Sequence, residues 1–253
     1  MIRLLKSEYL KTRRRFVFLT AIVMTLAMLA WTFHGSFKGD TLRLGWMLLL
    51  YQMPLANTVF MSLLSMIVAS RLCDLEHRGA MVRKLASAID KGKIYDAKLL
   101  YGLAVVLFAV VFSWAATIAL GYYKGFWAPF PMKLYLFYLL FTAAPTVVIY
   151  ILQHTLSICV KNQTVSFFTG ALGAFGGMFA LYLQNLPWLR RILIWGWYGA
   201  LQFVGLWGWT KESRYADAYF EIMPFDWILF GVLIAAGAAI YILGRAWFKR
   251  KEF

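Results

Sequence analysis

RLCDLEHRGAMVRKLASAIDKGKIYDAKLL, residues 71–100, carries eleven charged side chains, while the segments on either side carry almost none. The whole chain has 253 residues, 62% of them hydrophobic and 18% aromatic, and its mean hydropathy is +0.67. A soluble domain of this length runs nearer half apolar. A water-facing fold cannot hide that much apolar surface, so lipid must cover part of it. The charged stretch is then a segment outside the hydrocarbon, between two segments that cross it. A net charge of +15 would point to nucleic acid in a soluble protein. In a membrane protein, basic residues on the cytoplasmic side account for it, and nucleic acid is excluded as a partner.

A helix needs about 20 apolar residues to cross the hydrocarbon. Six segments qualify, at 16–33, 46–69, 99–122, 134–160, 164–186 and 227–247, and none contains Asp or Glu. The start does not read as a cleavable signal peptide, because a long basic stretch opens it and no small-residue cleavage site follows the first apolar run. Lysine and arginine set the orientation. Six in the N-terminal arm, seven in the charged stretch, Lys161 and four in the tail make 18 on one side, against 8 on the other. Both termini and the charged stretch are therefore expected in the cytoplasm. The run 192–209 is long enough for a seventh crossing, but that would carry the basic tail outside. Its Trp and Gly content suits the membrane–water interface, so 187–226 is read as an extracellular aromatic hairpin.

The arm at 1–15 has apolar Ile2, Leu5, Tyr9 and Leu10 beside a mostly basic remainder, the pattern of a helix lying on the inner membrane surface. In the charged stretch Met81, Leu85 and Ile89 fall at i, i+4 and i+8 and share one helix face. A short amphipathic helix under the membrane fits, closed by a turn at Gly92. The chain has no GxxxxGK[ST] phosphate loop and no HExxH or paired His–carboxylate constellation. No ionisable carboxylate lies in a span, where an ion-coupled transporter usually buries one. His154, beside Gln153 in the fourth span, reads as a helix–helix hydrogen-bonding group. Cys73 and Cys159 cannot build a disulfide framework, and both are expected near the cytoplasmic side, where thiols stay reduced. The body has no visible engine of its own.

The run Glu76, His77, Arg78, Gly79, Ala80, Met81, Val82, Arg83, Lys84, Leu85, Ala86, Ser87, and later Ala97, Lys98, Leu99, resembles the cytoplasmic loop of type-2 ABC exporter permeases. It departs from that pattern at Ala80, where many members have Thr, and at the AIDKGK turn, where many have Pro. The opening MIRLLKSEYLKTRRRFVF is similar to the family's basic elbow helix. The stretch SICVKNQTVSFFTGALGAFGGMF looks most like permeases of lantibiotic and bacitracin self-protection transporters. The resemblance implies an all-α single permease domain over 1–253, with six transmembrane helices, an elbow at 1–15 and a coupling helix within 71–98. It implies that Glu76, Gly79, Met81, Arg83, Lys84 and Leu85 dock a partner ATPase, and that Lys161, Asn162 and Gln163 make a second, smaller contact with it. ATP and Mg would sit on that partner, with no cofactor and no catalytic or metal residue on this chain. The expected partners are two ABC ATPase subunits, a second permease subunit (identical or related), membrane lipid and a peptide ligand. The expected location is the bacterial cell membrane.

Small residues let helices approach closely in lipid. Gly170, Gly173 and Gly177 could therefore pack within the monomer or form the seam with a second permease. Trp188, Trp195, Trp197, Trp207 and Trp209 are candidates for a ligand surface, or simply an interfacial anchor. A non-transport membrane sensor or scaffold that recruits a cytosolic partner would use the same charged loop. An intramembrane enzyme would need clustered polar catalytic residues, which the spans do not offer.

Overall fold

Three of the long helices start where the sequence supplies a capping side chain. Asp90 accepts a hydrogen bond from Lys93 N, Asn162 from Thr164 N and Asp226 from Leu229 N, each satisfying an amide that the first helical turn leaves unpaired. The computed structural model describes residues 1–35, 37–77, 81–183, 185–211 and 215–251, with backbone alone at 75–77, 81–83 and 86. The helices in chain order are α1 (Ile2–Thr12), α2 (Val17–Thr32), α3 (Asp40–Arg43), α4 (Gly45–His77), α5 (Met81–Ala88), α6 (Lys91–Tyr123), α7 (Met132–Cys159), α8 (Gln163–Tyr182), α9 (Leu189–Ile192), α10 (Trp197–Ala200) and α11 (Trp227–Arg250). An antiparallel hairpin of β1 (Val204–Trp207) and β2 (Tyr219–Ile222) pairs Val204 with Ile222 and Trp207 with Tyr219. The chain is thus an all-α bundle with one small two-stranded addition.

Five helices are long and apolar enough to cross a membrane: α4, α6, α7, α8 and α11. The expected first span is a special case, because α2 has only 16 residues. It qualifies when joined to Ile2–Arg15 across a 61° bend. Phe16 makes that bend with φ 53°, and it is the one non-glycine residue with positive φ among the described residues. A left-handed non-glycine costs about 1–2 kcal/mol and persists where its surroundings over-determine it. Here Arg71 of α4 donates to Arg15 O at 2.9 Å and to Thr20 Oγ1 at 2.7 Å, while Arg15 meets Asp74 at 3.3 Å. The bend is held from both sides by the end of α4.

α4 is the central helix, touching α2, α6, α7 and α8, and α11 packs on α7 and α6. Pro54 and Pro145 lie inside α4 and α7. Neighbouring helices can supply the bonds that such prolines remove. Within three residues of each proline a polar contact bridges the two helices. Asn57 Nδ2 donates to Tyr138 Oη at 3.0 Å and to Thr142 Oγ1 at 3.1 Å.

One expectation changes, the turn at Gly92. In the charged stretch α4 runs on to His77, the short helix α5 follows, and α6 begins at Lys91. Gly92 is therefore inside a helix, and the expected turn falls at Ile89–Asp90 because Asp90 caps α6. A Cβ on Gly92 would lie 2.8 Å from Arg245 Nη2, so the glycine serves close approach of α11. The run 192–209 forms no single helix. It breaks into α9, a short turn at Ile194–Gly196, α10 and β1, none of spanning length.

Candidate functional site

The bundle has two chemically distinct ends. One gathers both chain termini, α5 and the link between α7 and α8. The anchor of that end is Lys98, fully buried, which donates to Glu8 Oε2 at 2.8 Å and to Leu72 O at 2.8 Å. Glu8 also meets Lys11 at 2.9 Å, and Thr12 Oγ1 donates to Tyr101 Oη at 2.8 Å. These bonds fasten α1 to α6 and α4. On the other side of α6, Asp96 accepts a two-pronged bond from Arg245 (2.9 and 2.9 Å) and one from Tyr241 Oη at 3.0 Å. Lys91 Nζ donates to Lys251 O at 2.6 Å, and Lys251 in turn donates to Cys159 O. The start of α6 therefore holds the first and last helices together. Glu8, Asp96 and Arg245 were not singled out from the sequence. The partners are 90 and 149 residues apart, beyond the reach of any local pattern.

α5 lies across this end. Leu85 and Ile89 are half-buried against the bundle core, while Lys84, Ser87 and Ala88 are exposed. Of the expected partner-docking residues, Lys84 faces outward and Leu85 faces the bundle. Gly79 and the side chains of Glu76, Met81 and Arg83 lie outside the described residues. In the link between α7 and α8, Lys161 and Asn162 are exposed. Gln163 instead closes the turn, donating to Ser157 O at 2.8 Å, with Ser70 of α4 at 3.4 Å. His154 Nδ1 lies 3.9 Å from Cys73 Sγ on α4, and Gln153 lies 3.2 Å from Ser166 Oγ on α8. Both bridge helices, as expected from their place in an apolar span. Among the described residues no group of three or more His, Cys, Asp or Glu is arranged to hold a metal ion.

The opposite end contains a cavity of about 660 Å³, within the size range of small-ligand sites. Its floor is α4, with Tyr51 and Gln52. Its walls are the ends of α2 (Trp31) and α8 (Tyr182), and Gln202 and Tyr215 close over it. No Asp, Glu, Lys or Arg lines it among the described residues. Gln202 Nε2 donates to Tyr51 O at 3.2 Å, whereas the Gln52 side chain makes no hydrogen bond to another described residue. Burial raises the Tyr215 phenol above its ordinary value. Aromatic faces with two amides, three phenols and the His34 imidazole suit an amphipathic group that can exchange hydrogen bonds. The expected tryptophan surface divides. Trp188, Trp207 and Trp209 are exposed, but Trp197 is buried with Nε1 donating to Arg191 O at 2.6 Å. Trp195 fills the notch left by Gly173 and Gly177 of α8, and Gly170 faces Met66 of α4. These three glycines are in contact with their own chain.

A search of curated proteins found no match, and a search of solved structures found none. A family model described as ABC-2 family transporter protein matches residues 4–180, which runs from α1 almost to the end of α8 and includes the Glu8–Lys98 pair, α5 and the α2 and α4 sides of the cavity. That is well over half of the chain, so the chain belongs to the ABC-2 transporter family and is a multi-pass, permease-type membrane protein.

Proposed function

We propose that this chain is the membrane subunit of an ATP-driven exporter that removes an amphipathic peptide of the lantibiotic type from a bacterial cell membrane. The observation that carries the reading is the pairing, in one member of this family, of an exposed amphipathic helix at one end with an aromatic, amide-lined cavity at the other. α5 is the coupling helix and α1 the elbow. Lys84 and the Lys161–Asn162 turn face the partner ATPase, which binds ATP and Mg. Leu85 and Ile89 transmit force, because they rest on the bundle and not on the partner. The ligand occupies the cavity at Tyr51 and Gln52, and Trp188, Trp207 and Trp209 hold its outer part at the interface. A ligand biases the cycle only through unequal affinity for the two conformations. Two such chains, identical or related, work with two ATPases.

The test is purification of the tagged chain from its native membrane in a mild detergent, with identification of what remains bound. An ATPase should co-purify and be lost with Lys84→Glu. Tyr51→Ala with Gln52→Ala should keep the ATPase and lose stimulation of its activity by an added lantibiotic such as nisin. If no ATPase is retained while other membrane complexes stay intact, the exporter reading fails.

A further inference from the structure

The outward face of α1 and the turn that follows it carries charge that no group among the described residues answers. Arg3, Lys6, Tyr9, Leu10, Arg13 and Arg14 are exposed, as is Ile2. At about 100° per residue Ile2, Arg3, Lys6, Tyr9 and Leu10 fall within roughly 120° of one helical circumference, and Arg13 and Arg14 follow in the short 3₁₀ turn Arg13–Arg15 that continues α1. The face thus holds four cations, three apolar side chains and no acid. Among the described side chains, Glu8 points inward to Lys98 and Lys11, and Asp74 meets Arg15. The side chains of Arg13 and Arg14 make no hydrogen bond or ion pair among the described residues. With Leu10 they line an open depression of about 610 Å³ beside the bend at Phe16, and Phe16 itself is 65% exposed.

We infer that the α1–α2 bend is a seat for an anionic phospholipid, with Arg13 and Arg14 on the headgroup phosphate and Leu10 and Phe16 against the acyl chains. Charge complementarity selects the anionic headgroup, because a zwitterionic lipid brings a cation against the same arginines. The neighbouring exposed apolar side chains select a lipid over a free anion. The seat is built on the same helix whose reverse face is bonded to α6, so a bound headgroup pins the clamped end of the bundle to the membrane surface. The inference rests on the chain being embedded in a membrane and not on what it transports.

The test is native mass spectrometry of the full chain in an uncharged detergent with equal amounts of phosphatidylglycerol and phosphatidylcholine of matched chains. Wild type should retain phosphatidylglycerol in preference. Arg13→Gln with Arg14→Gln should weaken that preference by roughly fivefold for each arginine removed, with an unchanged melting temperature in the same detergent. Lys249→Gln with Arg250→Gln, exposed cations at the end of α11, should leave the preference as it was. An equal loss in both pairs of variants would reduce the effect to general surface charge and overturn the site. Displacement of the lipid by millimolar inorganic phosphate would assign the seat to a free anion and overturn the lipid reading.

Discussion

Lys98 shows how much a single residue can differ from its local sequence context. It stands among Lys91, Lys93 and Asp96, and by position it counts with the solvated charges of the stretch 71–98. In the fold it is fully buried against Glu8, itself only 5% exposed. Removing one partner of a buried ion pair leaves the other charge uncompensated, at a cost of about 3–5 kcal/mol, whereas replacing both by apolar groups is often neutral. Lys98→Met should therefore lower the melting temperature of the detergent-purified chain sharply. Adding Glu8→Leu to that variant should restore most of the loss. If the double variant is as unstable as the sum of the two single ones, the pair is not the bond that fastens α1 to α6. Nothing in the sequence around either residue announces this contact. Burial in a membrane protein is set by neighbours in space, and the arm 1–15 shows only that its outer face is basic.

Elements were legible to the extent that a local repeat defines them. Apolar runs of about 20 residues mark α4, α6, α7, α8 and α11 because lipid imposes that length. The i, i+4, i+8 spacing of Met81, Leu85 and Ile89 marks α5 well enough to locate it within Met81–Ala88. What escaped is whatever depends on a distant element. α4 and α6 overrun their apolar windows because Arg15, Asp96 and Arg245 give their charged ends partners. The four-residue strands β1 and β2 are too short for alternation to register, and Trp- and Gly-rich sequence hides them. The glycines of α8 make the same point with a testable contrast. A Cβ at Gly177 would lie 2.8 Å from the backbone of Trp195, whereas one at Gly176 would meet nothing within 4 Å. Gly177→Ala should lower stability by about 1–3 kcal/mol through overpacking, read by thermal unfolding. Gly176→Ala should stay within about 0.5 kcal/mol of wild type. The reverse order would mean that α8 does not pack on the 187–226 segment as described, and that its glycine face meets a second subunit there.

At the scale of the whole molecule, the two ends imply a sidedness. The end that holds the termini, α5 and the link between α7 and α8 gathers most of the described lysines and arginines, so the proposed function expects that end in the cytoplasm and the cavity, α9, α10 and the β-hairpin outside. The cavity itself could not be read from the sequence, because five separated segments contribute to it and none is unusual alone. Its position does follow once the spans are threaded, since α2, α4 and α8 bring Trp31, Tyr51 and Tyr182 to the same end. Labelling with a membrane-impermeant maleimide tests the sidedness directly. Cys73 and Cys159 are buried, so the background from native thiols should be low in the intact fold. A cysteine at Lys84, exposed on α5, should react only after the cells are opened. A cysteine at Trp209, 48% exposed beside the hairpin, should react in intact cells. Reaction of both sites in intact cells would break the six-crossing topology, because α5 and the hairpin would then share a face. The reverse pattern would turn the molecule over in the membrane. It would place the cavity on the cytoplasmic side and α5 where no cytoplasmic ATPase could reach it.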